Sequence, residues 1–211
     1  SEMCIRDSIP GEKAAVSNGD IPLKFTADIH EATYTRVAGN GFEENDEVGV
    51  FALVGSSTMK EERYADNLRF FRTSEKVFES SEPIYYPDDE VTLRLISYYP
   101  YQEEGVNMGE STMSVAVETD QNLSAGYFCS DFLVASQNLQ SAPKGAIALH
   151  YDHKFFKLKI ALVGKEGEEL QGILDADPKL SVCGFYTKAI YDFQKETYSA
   201  CLLYTSDAAD D

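Results

Sequence analysis

His150-Tyr151-Asp152-His153 sets two imidazoles and a carboxylate side by side, a donor set that could take a metal ion. Strand geometry argues against it. Residues 150 and 152 share one face of a strand and 153 points the other way, so the three converge only if a bulge falls inside the motif. Tyr98, Tyr99 and Tyr101, with Tyr85 and Tyr86 before them, could stack on sugar rings, although such residues more often fill a β core and its rim. Tyr98, Tyr99 and Tyr101 are the candidate ligand platform. Glu43, Glu44 and Asp46, and the run Asp88-Asp89-Glu90, are carboxylate clusters beside turns that lack the spaced pattern of a calcium loop and read as solvated.

Covalent chemistry finds little to work with. The sequence holds no Gly-x-Ser-x-Gly elbow, no local Cys-His pairing and no phosphate-cradling glycine loop. Cys129 and Cys183 could form a disulfide in an exported protein or remain two buried thiols. Arg36, in a Thr-Arg pair, is a candidate point of proteolytic processing, set against a plain strand-edge arginine. The expectation is a non-enzymatic protein with no cofactor and no metal site.

The elements that must position these residues are organised around Ala146 to Leu162. Ile147, Leu149 and Tyr151 alternate, and the pattern resumes out of phase at Phe156, Leu158, Ile160 and Leu162. Because a strand has a period of two, the slip predicts one long strand with a bulge near Lys154 and Phe155.

Both ends are set aside from that reading. Residues 1–8 (SEMCIRDS) and 201–211 (CLLYTSDAADD) resemble in-frame translations of a sequencing adapter, which predicts a scar at each terminus and a truncated reading frame. The formal net charge of −18 stays strongly negative without them, so the chain repels phosphate backbones and nucleic acid is not an expected partner. Thirteen Tyr, 12 Phe and no Trp suit extended β structure. No apolar run is long enough to cross a bilayer as a helix.

In chain order, residues 9–20 read as a linker, and Ile21, Leu23 and Phe25 alternate as a first strand. Thr33–Val37 makes a second and Glu47–Leu53, apolar on both faces, a third. Gly55–Asn67 reads as a polar surface loop. Asn67–Arg72 and Glu75–Glu79 form a hairpin about Thr73-Ser74, and Val91–Leu95 and Met113–Val117 are further strands. Leu180–Tyr186 with Ala189–Phe193 reads as a last hairpin. Short strands between turn signals predict an all-β sandwich or barrel.

Ordered landmarks along residues 21 to 160 resemble the fimbrillin family, the fimbrillin-like surface proteins of type V pili. They are Phe25-Thr26-Ala27, Thr35-Arg36, the block Asn45 to Ala52, Asn67 before Phe70, Ile84-Tyr85-Tyr86-Pro87, Ser97 to Tyr101, Asp120-Gln121, Ser130 to Ala135, and Leu149, Tyr151 and His153 with Lys157-Leu158. The resemblance implies a transthyretin-like β-sandwich over residues 21–163, with the start of a truncated second β domain over 164–200. It implies a lipoprotein precursor exported to the outer membrane, cell surface or fimbrium of a Gram-negative bacterium. Its function would be structural or adhesive, as a pilus subunit or an anchor or tip accessory. The alternative is a carbohydrate-binding surface module. Partners would be other fimbrial subunits joined by strand exchange, with host or bacterial surface ligands or glycans besides. Ile21, Leu23 and Phe25 are then the candidate donor-strand segment, filling alternate pockets until proteolysis removes them.

Overall fold

Ten strands carry the described part of the chain: β1 Phe25–Ile29, β2 Glu47–Val54, β3 Ala65–Arg72, β4 Phe78–Ser80, β5 Leu93–Tyr99, β6 Thr112–Ala116, β7 Leu133–Leu139, β8 Ile147–His153, β9 Lys188–Asp192 and β10 Thr197–Ala200. They are seen in a computed structural model that describes residues 21–30, 41–87, 91–118, 129–156, 158, 160, 163, 170–175, 184 and 186–200. The described residues also include a short helix, Leu170–Asp175.

Seven strands close into a barrel in the order β1-β4-β3-β2-β5-β7-β8, and β10-β9-β6 form a separate three-stranded sheet. Every ladder in the barrel is antiparallel except that of β1 with β8. Closure leaves the barrel without a free edge.

The double-sided apolarity of β2 has a direct cause. Val48, Val50 and Ala52 point into the barrel core, while Phe51 and Leu53 point out into a second core. On β5, Leu93 and Leu95 face in, and Ile96 and Tyr98 face out. Met113 and Val115 of β6 and Ala189 and Tyr191 of β9 cover the outward face. The wall β2-β5-β7 therefore has a core on each side. At Gly49 on this wall, a Cβ atom would stand 2.2 Å from a carbon of the Tyr98 ring, so only glycine lets that ring lie across β2.

The all-β expectation holds, but the layering differs from a plain sandwich. The parallel β1-β8 seam closes the main sheet on itself, and the small sheet packs on the outside of its wall. The long strand expected over Ala146–Leu162 stops at His153, and Lys154 and Phe155 bend away. Phe155 packs against the second core, while Leu158 and Ile160 are exposed. The slip in phase thus marks a strand end, not a bulge.

Other boundaries shift as well. The first ladder begins at Phe25, and the segment before it makes an isolated bridge, Pro22 with Tyr85. The turn between β3 and β4 spans Thr73 to Val77, with Lys76 at φ 64°. The strand expected over Thr33–Val37 lies outside the described residues, as does most of Leu180–Tyr186. The last hairpin is instead β9 with β10. The sequence reading expects a domain boundary after residue 163. From beyond it, β9 forms five ladder pairs with β6, and Ala189, Tyr191 and Phe193 bury in the core that β2 and β5 line.

Candidate functional site

β1 is the seam of the barrel, and its two flanks are unequal. With β8 it shares five parallel pairs, from Phe25-Ile147 to Ile29-Tyr151, but with β4 only Phe25-Phe78. Leu23 and Phe25 are its anchors, 4% and 1% exposed. Phe25 stacks on Phe78 at 5.0 Å and 6° and leans on Phe70 at 5.1 Å, with Phe42 edge-on to Phe78. Burying two such side chains is worth about 1.5–3 kcal/mol each. Ile21, by contrast, is 38% exposed and fills no pocket. Of the three residues expected to occupy alternate pockets, the structure seats Leu23 and Phe25. The Lys24-Glu79 ion pair at 2.5 Å ties the segment toward β4, but it is largely solvated and adds at most about 1 kcal/mol.

The histidine motif does not converge. His150 and Asp152 point out of the barrel around the buried Tyr151, and His153 pairs with Asp131 at 2.7 Å. Among the described residues no group of three or more histidine, cysteine or acidic side chains could hold a metal ion. Cys129 is an exposed free cysteine, whereas Cys183 and Arg36 lie outside the described residues.

A family profile described as fimbrillin-like matches residues 35–209, most of the chain. The chain belongs to the fimbrillin-like family. That match runs past Ala200 into the segment 201–209 that the sequence reading set aside as a scar. No curated protein matches the chain. Two solved structures resemble this fimbrillin-like chain. One is a candidate cell adhesion protein from Bacteroides ovatus, at 17% identity and a TM-score of 0.45, covering 64% of this chain and 52% of that one. The other is a fimbrial protein from the same species, at 17% identity and a TM-score of 0.35, covering 63% of this chain and 28% of that one. The fimbrillin-like chain spans about half the length of the first and little more than a quarter of the second.

In the fimbrillin-like chain the three tyrosines expected to form a platform are dispersed. Tyr98 is fully buried in the second core, stacked on Phe51 at 5.8 Å, and its hydroxyl donates to Asn67 Oδ1 at 2.7 Å. Burial pushes its phenol up to about 12. Tyr99, one residue on, turns to the barrel rim and meets Phe42 edge-on at 5.4 Å. Burial, then the nearby Asp46, drives its phenol well above the usual tyrosine range. Tyr101 lies under the Arg69 guanidinium at 6.0 Å. Tyr98 thus sits in the core, Tyr99 at the rim and Tyr101 beneath Arg69.

Sequence reasoning passed over Arg63, which it left in a polar loop. Its side chain is completely buried. Nε donates to Met59 O at 2.8 Å, Nη1 to Val106 O at 2.7 Å and to Asp66 at 2.5 Å, and Nη2 to Asn107 O and Glu110 O at 3.1 Å each. All five donors are used, and the guanidinium lies 5.1 Å from the Phe51 ring centre. The residue pins two long loops to the second core. The single local signal was its position two residues before β3.

Proposed function

We propose that this chain is a structural or adhesive subunit of a cell-surface fimbria, and that β1 is the element exchanged when subunits assemble. Membership of the fimbrillin-like family supports the fimbrial part. The observation that carries the exchange is the seam itself, a strand bound by five pairs on one flank and one on the other, anchored by Leu23 and Phe25. Removing it opens a slot beside β8 floored by Phe70, Phe78, Ile147 and Leu149. Unpaired β8 backbone and an apolar floor are what an incoming strand recognises. The chain acts through surfaces rather than through catalysis, and its place is the outer surface of a Gram-negative cell.

The test is a cut between Ala27 and Val37, where Arg36 offers a trypsin-type site. Size-exclusion chromatography of the full chain before and after cleavage should show the uncut protein as a monomer and the cut protein as higher oligomers. A cut sample that stays monomeric at high concentration refutes exchange of β1. It then leaves an anchor or simple binding role for the subunit.

A further inference from the structure

At one end of the second core the wall turns polar. On the outward face of β5 the row Tyr98, Ile96, Arg94 runs from apolar to charged, and on β7 the row Val134, Ser136, Asn138 runs beside it, with Asn138 opposite Arg94. Gly55, at φ 61°, turns the chain after β2, and its amide bonds Thr92 O at 2.8 Å. The turn between β9 and β10 brings in Gln194, whose Oε1 accepts from the Met59 amide at 3.0 Å. These segments enclose a cleft of about 260 Å³, to which Thr58, Thr92, Arg94, Asn138, Gln140 and Gln194 contribute polar side chains. Leu93 also borders it, but its side chain is buried in the barrel core.

We propose that this cleft binds one ring of a neutral saccharide. Its polar side chains are carboxamides, hydroxyls and one guanidinium. Carboxamides and hydroxyls both donate and accept, which matches sugar hydroxyls, themselves donor and acceptor at each oxygen. Two groups are held in place before a ligand arrives. The bond from Met59 fixes the Gln194 carboxamide and leaves Nε2 as a donor, while Arg94 gives Nη2 to Glu196 at 2.7 Å and Nε to Ser136 Oγ at 3.4 Å, keeping Nη1. Among the described residues, no side-chain hydrogen bond occupies Thr58, Thr92, Asn138 or Gln140. Other ligands fit less well. Glu196 already meets the charge of Arg94 and the chain carries a net charge of −18, which disfavours an anion. Among the described residues no carboxylate lines the cleft to draw a cation, and no apolar side chain opens into it for a peptide side chain. At about 260 Å³ it lies below the roughly 300–1,000 Å³ of drug-sized pockets and suits a single ring. A ring held by hydrogen bonds with no aromatic beneath it binds weakly, and display of many subunits on one fimbria raises that by avidity. The avidity rests on the fimbrial reading of the chain, whereas the cleft is complete in one subunit.

Titration of the uncut, ¹⁵N-labelled chain with the methyl glycosides of glucose, galactose, mannose, fucose and N-acetylglucosamine, followed by nuclear magnetic resonance, tests the site. At least one glycoside should shift the side-chain amide signals of Asn138, Gln140 and Gln194 to saturation. Its affinity should fall about tenfold in Asn138→Ala and in Gln140→Ala, exposed positions where the remaining backbone signals report a retained fold. It should be unchanged in Ser114→Ala, an exposed position on β6. Absence of a saturable shift with all of these glycosides overturns the proposal. So does binding that survives both Asn138→Ala and Gln140→Ala, or a larger shift of the same amides by inorganic phosphate or by triglycine than by any glycoside.

Discussion

Replacing Arg63 by methionine keeps most of the side-chain volume and removes every donor. Of the five acceptors it serves, the carbonyls of Met59 and Val106 belong to residues 0% and 4% exposed, where water cannot substitute. Hydrogen bonds to a charged group contribute about 1.5–3 kcal/mol each, so these two alone set a loss of roughly 3–6 kcal/mol. Asp66 is 46% exposed at its side chain and regains water, and Asn107 and Glu110 are exposed residues, so their bonds add little. The contact with Phe51 contributes about 1 kcal/mol more. Against a total stability of about 5–15 kcal/mol this is a large fraction. Urea unfolding followed by tyrosine fluorescence should give Arg63→Met an unfolding free energy lower by that amount, with Arg63→Lys in between, because an ammonium reaches only some of the carbonyls. A loss below about 1 kcal/mol for Arg63→Met, well under the sum of the two buried bonds, would refute the view that this guanidinium holds the loops to the core.

Gly49→Ala should cost about 1–3 kcal/mol in the same assay, since its methyl meets the Tyr98 ring, and it should perturb near-ultraviolet circular dichroism. Tyr151→Phe should cost about 1 kcal/mol by removing the bond between Tyr151 Oη and Ser97 Oγ at 2.5 Å, while Ser97 keeps its bond to Gly49 O. Stability should also fall in alkali. Burial raises the Tyr98 phenol from 10 to about 12, so above pH 10 the unfolded chain releases a proton that the folded chain retains; the contribution is full below pH 10 and is lost progressively up to about pH 12. Unfolding midpoints measured from pH 8 to 11 should be level at first and decline beyond pH 10, and a level profile throughout would contradict the burial of this phenol.

The residues that could be read from sequence were those whose environment is set by their neighbours along the chain. Glu47–Leu53 alternates in both phases, and it became β2 with a core on each side. Leu23 and Phe25 announced their burial by spacing, while Ile21 carried the same pattern yet stands 38% exposed. Arg63 was illegible because an arginine among Ser, Lys and Glu looks solvated until the carbonyls of Val106 to Glu110, more than forty positions away, fold over it. His30 was passed over for the same reason. Its partner Asp152 lies about 120 residues later, across a parallel pairing that no local pattern announces.

The two-sided wall has a consequence for the order in which the chain is made. β2 and β5 are complete once Tyr99 has been synthesised, but Phe51, Leu53, Ile96 and Tyr98 on their outward face wait for β9, which begins at Lys188. Nearly ninety residues must therefore emerge while a broad aromatic surface stands open to water. β6 cannot shield it alone, since its described partner strand is the same late β9. Such a nascent chain is exposed to aggregation and needs to be held unfolded until its last hairpin is available.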